Sequence, residues 1–363
     1  MLTDPPDVDE IEVSVFGPSF GEGILVKLGP TQWIAVDSCN NAVTARSKPL
    51  EYLQQIKVNV EKDLVAVVAT HWHRDHIGGI SDLVSAAKAA DFFCPLSFKT
   101  KEFMTFAELF GPGKGNPILQ RSSEYLRTLQ ILRNRNKCPL FVGPDRLLVN
   151  ISGATAHSLS PNDALITQFL AGISGDLCRI KQDDAAVNVD RGDPNHTAIA
   201  ILVGFEDCQI LLGADLEEQH SFGWSTIMAT SKVTRSGIQL FKIPHHGSSN
   251  AHHQPLWDHD IPKDCLVVLT PFSSGTNPPP TRVDVDRILA HSTHAYSAAR
   301  ARSTSAPKLG GGVEKHLEAE GIKNRAQREP KMGHVRFRRK RASGSTWSVE
   351  RFDNAVLLKD IHT

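Results

Sequence analysis

The sequence predicts a mixed α/β fold, on three observations. Two sets of short apolar strands, one before residue 100 and one after residue 145, are separated by stretches of helical periodicity. Leu64 to Ala69 is a continuous apolar run that ends at Thr70-His71, as suits a strand buried on both faces and feeding a loop. Gly-Pro pairs punctuate the early strands at Gly17-Pro18 and Gly29-Pro30.

The elements follow in order. Residues 11–16, 24–28, 33–37 and 64–69 read as strands, 80–90 as a helix and 91–98 as a further strand. A Gly-Pro-Gly-Lys-Gly loop precedes an amphipathic helix over 116–136. The second strand set covers 147–151, 197–203, 208–213, 239–243 and 265–270, with a polar loop over 174–195. Pro278-Pro279-Pro280 introduces a helix near 282–291. Residues 333–339 and 346–350 pair as a hairpin with its turn near Ser343-Gly344-Ser345. The implied organisation is a main domain over 1–297, a basic linker over 298–332 and a C-terminal β-hairpin extension over 333–363.

Composition narrows the class. With 40% hydrophobic and 22% charged residues in 363, the chain is globular and large enough for a substantial core. No run reaches the roughly 18–20 apolar residues of a membrane span. The N-terminus lacks the basic and apolar regions of a signal peptide. Six cysteines (Cys39, Cys94, Cys138, Cys178, Cys208, Cys265) show no CxxC spacing, which fits reduced thiols in the cytoplasm. Net charge is zero, yet residues 300–341 hold 13 Lys+Arg against 4 Asp+Glu, so an acidic body carries a basic late segment. Such asymmetry points to an anionic partner.

The chemistry concentrates in His71-Trp72-His73-Arg74-Asp75-His76. Four potential ligands fall within six residues at the end of a buried strand, and imidazole with carboxylate is the donor set that Zn2+ or Mn2+ takes. On a tight loop His71 and His73 can converge on one ion while Asp75 and His76 turn toward a second.

This run is the HxHxDH motif, and the chain resembles the metallo-β-lactamase superfamily. The resemblance implies a four-layer αββα sandwich holding two divalent ions. It extends to Asp37, at the end of Trp33-Ile34-Ala35-Val36-Asp37, which matches an aspartate that braces the metal loop. Asp215 in Leu211-Leu212-Gly213-Ala214-Asp215 matches the aspartate bridging both metals, and His246 in Pro244-His245-His246-Gly247 the second metal's ligand. Many members have Gly-His-Thr at the third motif. Here Pro194-Asn195-His196-Thr197 stands in its place, with His196 the first choice as ligand, Asn195 beside it in support and His157 a weaker substitute. That variant, with Lys242-Ile243-Pro244-His245-His246-Gly247-Ser248-Ser249, is similar to the ComEC/Rec2-like branch, whose closing motif is shared with phosphorylcholine esterases. The resemblance covers roughly residues 11–295.

It implies a metal-dependent hydrolase of phosphodiesterase or nuclease type, with Asp75 orienting the nucleophile and His245 donating to a phosphoryl oxygen or leaving group. Lys242 reads as a strand residue without a chemical role, and His252, His253 and His259 as surface residues. The alternatives are a small-molecule hydrolase, such as a choline-phosphate esterase or lactonase, and a non-catalytic metal-binding scaffold that delivers a partner. Stand-alone proteins of similar sequence occur in bacterial antiviral systems, some with STAND NTPases, so the resemblance also implies a partner of that type. His334-Val335-Arg336-Phe337-Arg338-Arg339-Lys340-Arg341 sets cations beside an aromatic, as a nucleic-acid backbone favours. The same pattern also suits a strand edge guarded by charge.

Overall fold

The strands of a computed structural model of the chain, which describes residues 3–17, 21–41, 43–99, 117–168, 170–171, 194–219, 222–273, 277–301 and 332–362, fall into two eight-stranded sheets. In chain order the strands are β1 (Glu10–Gly17), β2 (Gly23–Lys27), β3 (Trp33–Val36), β4 (Leu64–Val68), β5 (Asp91–Pro95), β6 (Leu140–Val142), β7 (Arg146–Ile151) and β8 (Ala154–Ser158). There follow β9 (Ile201–Gly204), β10 (Gln209–Leu212), β11 (Ile238–Lys242), β12 (Leu266–Leu269), β13 (Ala295–Ser297), β14 (Gly333–Lys340), β15 (Ser348–Asp353) and β16 (Val356–Leu357). The first sheet has the order β15-β14-β1-β2-β3-β4-β5-β6, the second β16-β13-β12-β11-β10-β9-β8-β7.

Apolar side chains divide into three clusters, which explains the layering. Val13, Val26, Val68, Ile201, Leu212 and Val268 belong to a core shared by the two sheets. Trp33, Leu53, Trp72 and Leu83 pack the first sheet against the helices Lys48–Gln55 and Ile80–Ala86. Trp224, Phe241, Trp257 and Ile288 pack the second against the helices Trp224–Thr230, Gln254–His259 and Arg282–His291. Each sheet is therefore apolar on both faces, and helices must cover the outer ones. The architecture is the αββα metallo-β-lactamase sandwich.

Most expected elements form. The helix Arg282–His291 starts at a capping box in which Thr281 and Asp284 satisfy each other's exposed amides. Pro117–Asn134 is helical as expected, whereas the Gly-Pro-Gly-Lys-Gly loop, most of 174–195 and nearly all of the 298–332 linker lie outside the described residues. The C-terminal hairpin also forms, but it is no appendage. β14 pairs antiparallel with β1 along Glu10–Gly17, and β16 pairs with β13, so residues 333–357 close one edge of each sheet.

The topology positions the site. Parallel pairing joins β3 to β4 and β10 through β12, so these strands point their carboxyl ends the same way within each sheet. Asp37, His71, Asp215, His246 and Thr270 all follow directly on such ends. Carboxyl ends of parallel strands are where open α/β sheets present loops to ligands.

Candidate metal centre

His71 and His73 leave β4 on an extended turn, and the single helical turn Arg74–Ile77 aims Asp75 and His76 back toward the strand ends. His71 Nε2 lies 3.1 Å from His73 Nδ1. From the opposite sheet, Asp215 and His246 complete a second group. Asp215 Oδ2 is 3.2 Å from both His76 Nε2 and His246 Nε2. Asp75 Oδ2 is 3.5 Å from His246 Nε2 and 3.8 Å from His76 Nε2. Donors about 2.0–2.2 Å from one tetrahedral ion sit roughly 3.3–3.6 Å apart, and these separations lie within about 0.2 Å of that range. His76 Nε2, which faces this group, is buried without a hydrogen-bond partner, which a cation at this site would remedy. The donor set of Asp75, His76, Asp215 and His246 therefore fits a divalent ion; Asp37, His71 and His76 form a second buried group of close donors, and His73 approaches it only through His71.

The backbone holds these groups at some expense. Asp37, Ala214, His245 and His246 all have positive φ, a region that costs non-glycine residues about 1–3 kcal/mol each and persists where surroundings impose it. Asp37 repays its conformation. It accepts hydrogen bonds from the Thr70 amide and hydroxyl, each at 2.7 Å, and from His76 Nδ1 at 2.7 Å. That contact fixes the His76 ring so that Nε2 faces Asp75 and Asp215. His246 Nδ1 likewise donates to the Thr270 carbonyl at 2.8 Å, leaving Nε2 for the site.

Electrostatics follow from burial and pairing. Burial works against charge on His246, but Asp215 and Asp75 outweigh it and raise its pKa to about 10. His76 is also raised, because Asp215 and Asp37 overcome the same burial cost. His71, buried beside His76 and His73, is pushed down and is neutral at pH 7. Burial alone would raise the Asp215 carboxyl, yet His246 and His76 hold it well below the usual range.

The third motif differs from expectation. His196 Nε2 lies 3.5 Å from Glu217 Oε2 and 2.5 Å from Gln219 Nε2, and it belongs to neither ligand group. The 3-10 turn Pro194–Thr197 presents Asn195 to the pocket instead, with Nδ2 donating to Glu217 Oε1 at 3.0 Å and lying 3.3 Å from His245 Nε2. His157 is in β8, paired across the sheet with Leu202, and is no substitute. His196→Ala is therefore expected to retain the metal content of the wild type, measured by elemental analysis; a loss of one ion per chain would restore His196 as a ligand.

His245 lines the pocket, with Nδ1 facing Asn250 Oδ1 at 2.9 Å and Glu217 Oε1 at 3.2 Å. Two acceptors at Nδ1 place the ring proton there, so Nε2 is the atom able to accept a proton and then donate it. Sequence reasoning missed Glu217, which ties together His196, His245 and Asn195. Lys242 ends β11 as a strand residue, as expected; what sequence reasoning missed is the pairing of its fully buried ammonium, 2.7 Å from Glu22 Oε2 and 3.7 Å from Asp215 Oδ1. No local signal marks either pairing.

The basic strand is not an exposed cationic strip. Arg336 and Arg339 are buried, pairing with Glu350 at 2.6 Å and Asp207 at 2.8 Å. Arg338 pairs with buried Glu12 at 2.7 Å and Lys340 with Asp7 at 2.6 Å, while Arg341 donates to the Ser152 carbonyl and lies over Phe205. A phosphate backbone would have to displace these partners.

The open pocket above the ligands has a volume of about 340 Å³ and is walled by Asn195, His245, Ser248, Phe272, Pro278 and Pro279. No helix among the described residues is long and apolar enough to cross a membrane.

A family model described as the metallo-beta-lactamase superfamily matches residues 24–99, the segment that contains Asp37 and the His71–His76 run. No curated protein matches the chain. Among solved structures, CmlA, a diiron β-hydroxylase from Streptomyces venezuelae, is 12% identical with a TM-score of 0.35. The match covers 66% of this chain and 34% of that one, so the chain spans about a third of that protein's length. The metallo-β-lactamase SMB-1, bound to 2-mercaptoethanesulfonate, is 12% identical with a TM-score of 0.35, covering 72% of this chain and 88% of that one. A metallo-β-lactamase from Pontibacter korlensis is 16% identical with a TM-score of 0.26, covering 55% and 61%. The family match over the ligand-bearing segment, together with the two-sheet sandwich, supports the metallo-β-lactamase superfamily, which includes metal-dependent hydrolases.

Proposed function

We propose that the protein is a dinuclear metal-dependent hydrolase of phosphodiesters. The observation that carries this reading is the convergence of Asp75, His76, Asp215 and His246 on one point beneath a pocket whose wall combines Asn195, His245 and Ser248 with Phe272, Pro278 and Pro279. Bound there, divalent ions supply Lewis acidity and make a water acidic enough to attack at neutral pH. Asp75, 22% exposed where Asp215 is buried, is the more open of the two carboxylates lining the pocket and can orient an attacking water. Ser248 offers a neutral donor to a non-bridging oxygen of a phosphoryl group. His245 holds one proton at Nδ1 against Asn250 and Glu217 and can shuttle another at Nε2 to a leaving oxygen.

A volume near 340 Å³ suits a small diester or one strand terminus better than a duplex. The internal pairing of the 336–341 cations supports the same preference. The test is turnover by metal-loaded protein of bis-p-nitrophenyl phosphate, single- and double-stranded oligonucleotides, a phosphorylcholine ester and a simple lactone. Diester hydrolysis that His246→Ala reduces to background is expected. Lactone hydrolysis without diester hydrolysis would replace the reading.

A further inference from the structure

Behind the ligand group lies a buried ion pair that the proposed chemistry does not use. Glu22 and Lys242 are both fully buried, and Lys242 Nζ donates to Glu22 Oε2 at 2.7 Å and to the Ala214 carbonyl at 2.9 Å. The same ammonium lies 3.7 Å from Asp215 Oδ1. Glu22 Oε2 also accepts from the Thr270 hydroxyl at 2.6 Å, and Thr270 is the residue whose carbonyl orients His246. The Glu22 amide donates to the Asp75 carbonyl at 2.7 Å. Gly21 permits that approach, since a Cβ there would stand 1.7 Å from the Asp75 oxygen.

We propose that Glu22 is a positioning residue for the metal ligands, restraining Lys242 from Asp215 and holding His246 through Thr270. The inference rests on the metal-centre reading and adds a role to a residue outside the ligand set. A buried ammonium beside Asp215 competes with a metal ion for the charge of the same carboxylate. The Glu22 carboxylate neutralises that ammonium and gives it a shorter contact, so Asp215 keeps its charge for the site. Without Glu22, Asp215 is the nearest carboxylate the ammonium can turn to. Burial of an uncompensated charge is costly, so that rearrangement is favoured.

The test is Zn2+ affinity, measured by competition with a chromogenic chelator, for the full chain and two variants whose folding is checked by far-UV circular dichroism. Glu22→Gln, nearly isosteric, should bind Zn2+ about 10–100-fold more weakly, the range seen for residues that support metal ligands. Glu22→Gln/Lys242→Met removes the competing ammonium as well, so its affinity should lie between the single variant and the wild type. A purely structural pair would lower thermal stability and leave affinity unchanged. Wild-type affinity in folded Glu22→Gln overturns the proposal. Should that variant fail to fold, a double variant that binds Zn2+ about 100-fold or more weakly than the wild type overturns it instead, because no ammonium is left to compete. A wild type that takes up no Zn2+ overturns the metal-centre reading and this proposal together.

Discussion

Asp215→Ala should leave the purified protein without its metal complement and bring diester hydrolysis to background. Asp215 Oδ2 is the one carboxylate oxygen within 3.2 Å of both His76 Nε2 and His246 Nε2, so its removal takes away the group on which the two rings converge. The loss should exceed the roughly 100-fold reached by supporting residues, because a ligand itself is deleted. Elemental analysis of protein grown with zinc or manganese checks it, and a variant that keeps two ions per chain would dissolve the proposed centre. The same geometry sets the pH response of the wild type. His246, raised to about 10, and His76, also raised, are protonated at neutral pH before metal binds, and each must lose that proton to become a ligand. Protons therefore compete with the metal below the raised pKa values, and metal affinity should climb as pH rises from about 6 to about 9. Affinity that falls over that interval would contradict the assignment of these two rings.

Arg339→Glu should destabilise the fold by about 3–5 kcal/mol, the usual cost of breaking a buried ion pair by removing one partner. Arg339 donates to Asp207 Oδ2 at 2.8 Å, to Gln239 Oε1 at 2.9 Å and to the Ala342 carbonyl at 3.2 Å. Its guanidinium also lies 5.8 Å from the Trp347 ring. A glutamate there would meet Asp207 with like charge and leave these acceptors unpaired. Urea unfolding monitored by tryptophan fluorescence would report the change. Lys340→Glu, at an exposed position, is the control and should unfold near the wild-type midpoint. If Arg339→Glu instead keeps wild-type stability and loses affinity for oligonucleotides, the segment contacts nucleic acid after all.

The sequence alone marks the α/β class, the strand that feeds the candidate metal loop and most of the candidate donor group. It could do so because His71, His73, Asp75 and His76 sit within six residues, and because Asp37, Asp215 and His246 each follow an apolar strand that can be read locally. The rest follows from tertiary packing. In the turn Pro194–Thr197 adjacent residues point different ways, and the direction is set by Glu217 and Gln219 some twenty residues on, so Asn195 takes the pocket and His196 does not. The basic run after His334 carries its charge in the sequence, but the acids that pair with it, Glu12, Asp207 and Glu350, arrive through strand pairing and the approach of the second sheet. Thr270 and Glu22 are 248 residues apart and meet only where strands of both sheets end side by side. Local patterns report on neighbours within a turn or a strand, whereas charge pairing in a buried site depends on which strand ends the packing of two sheets brings together.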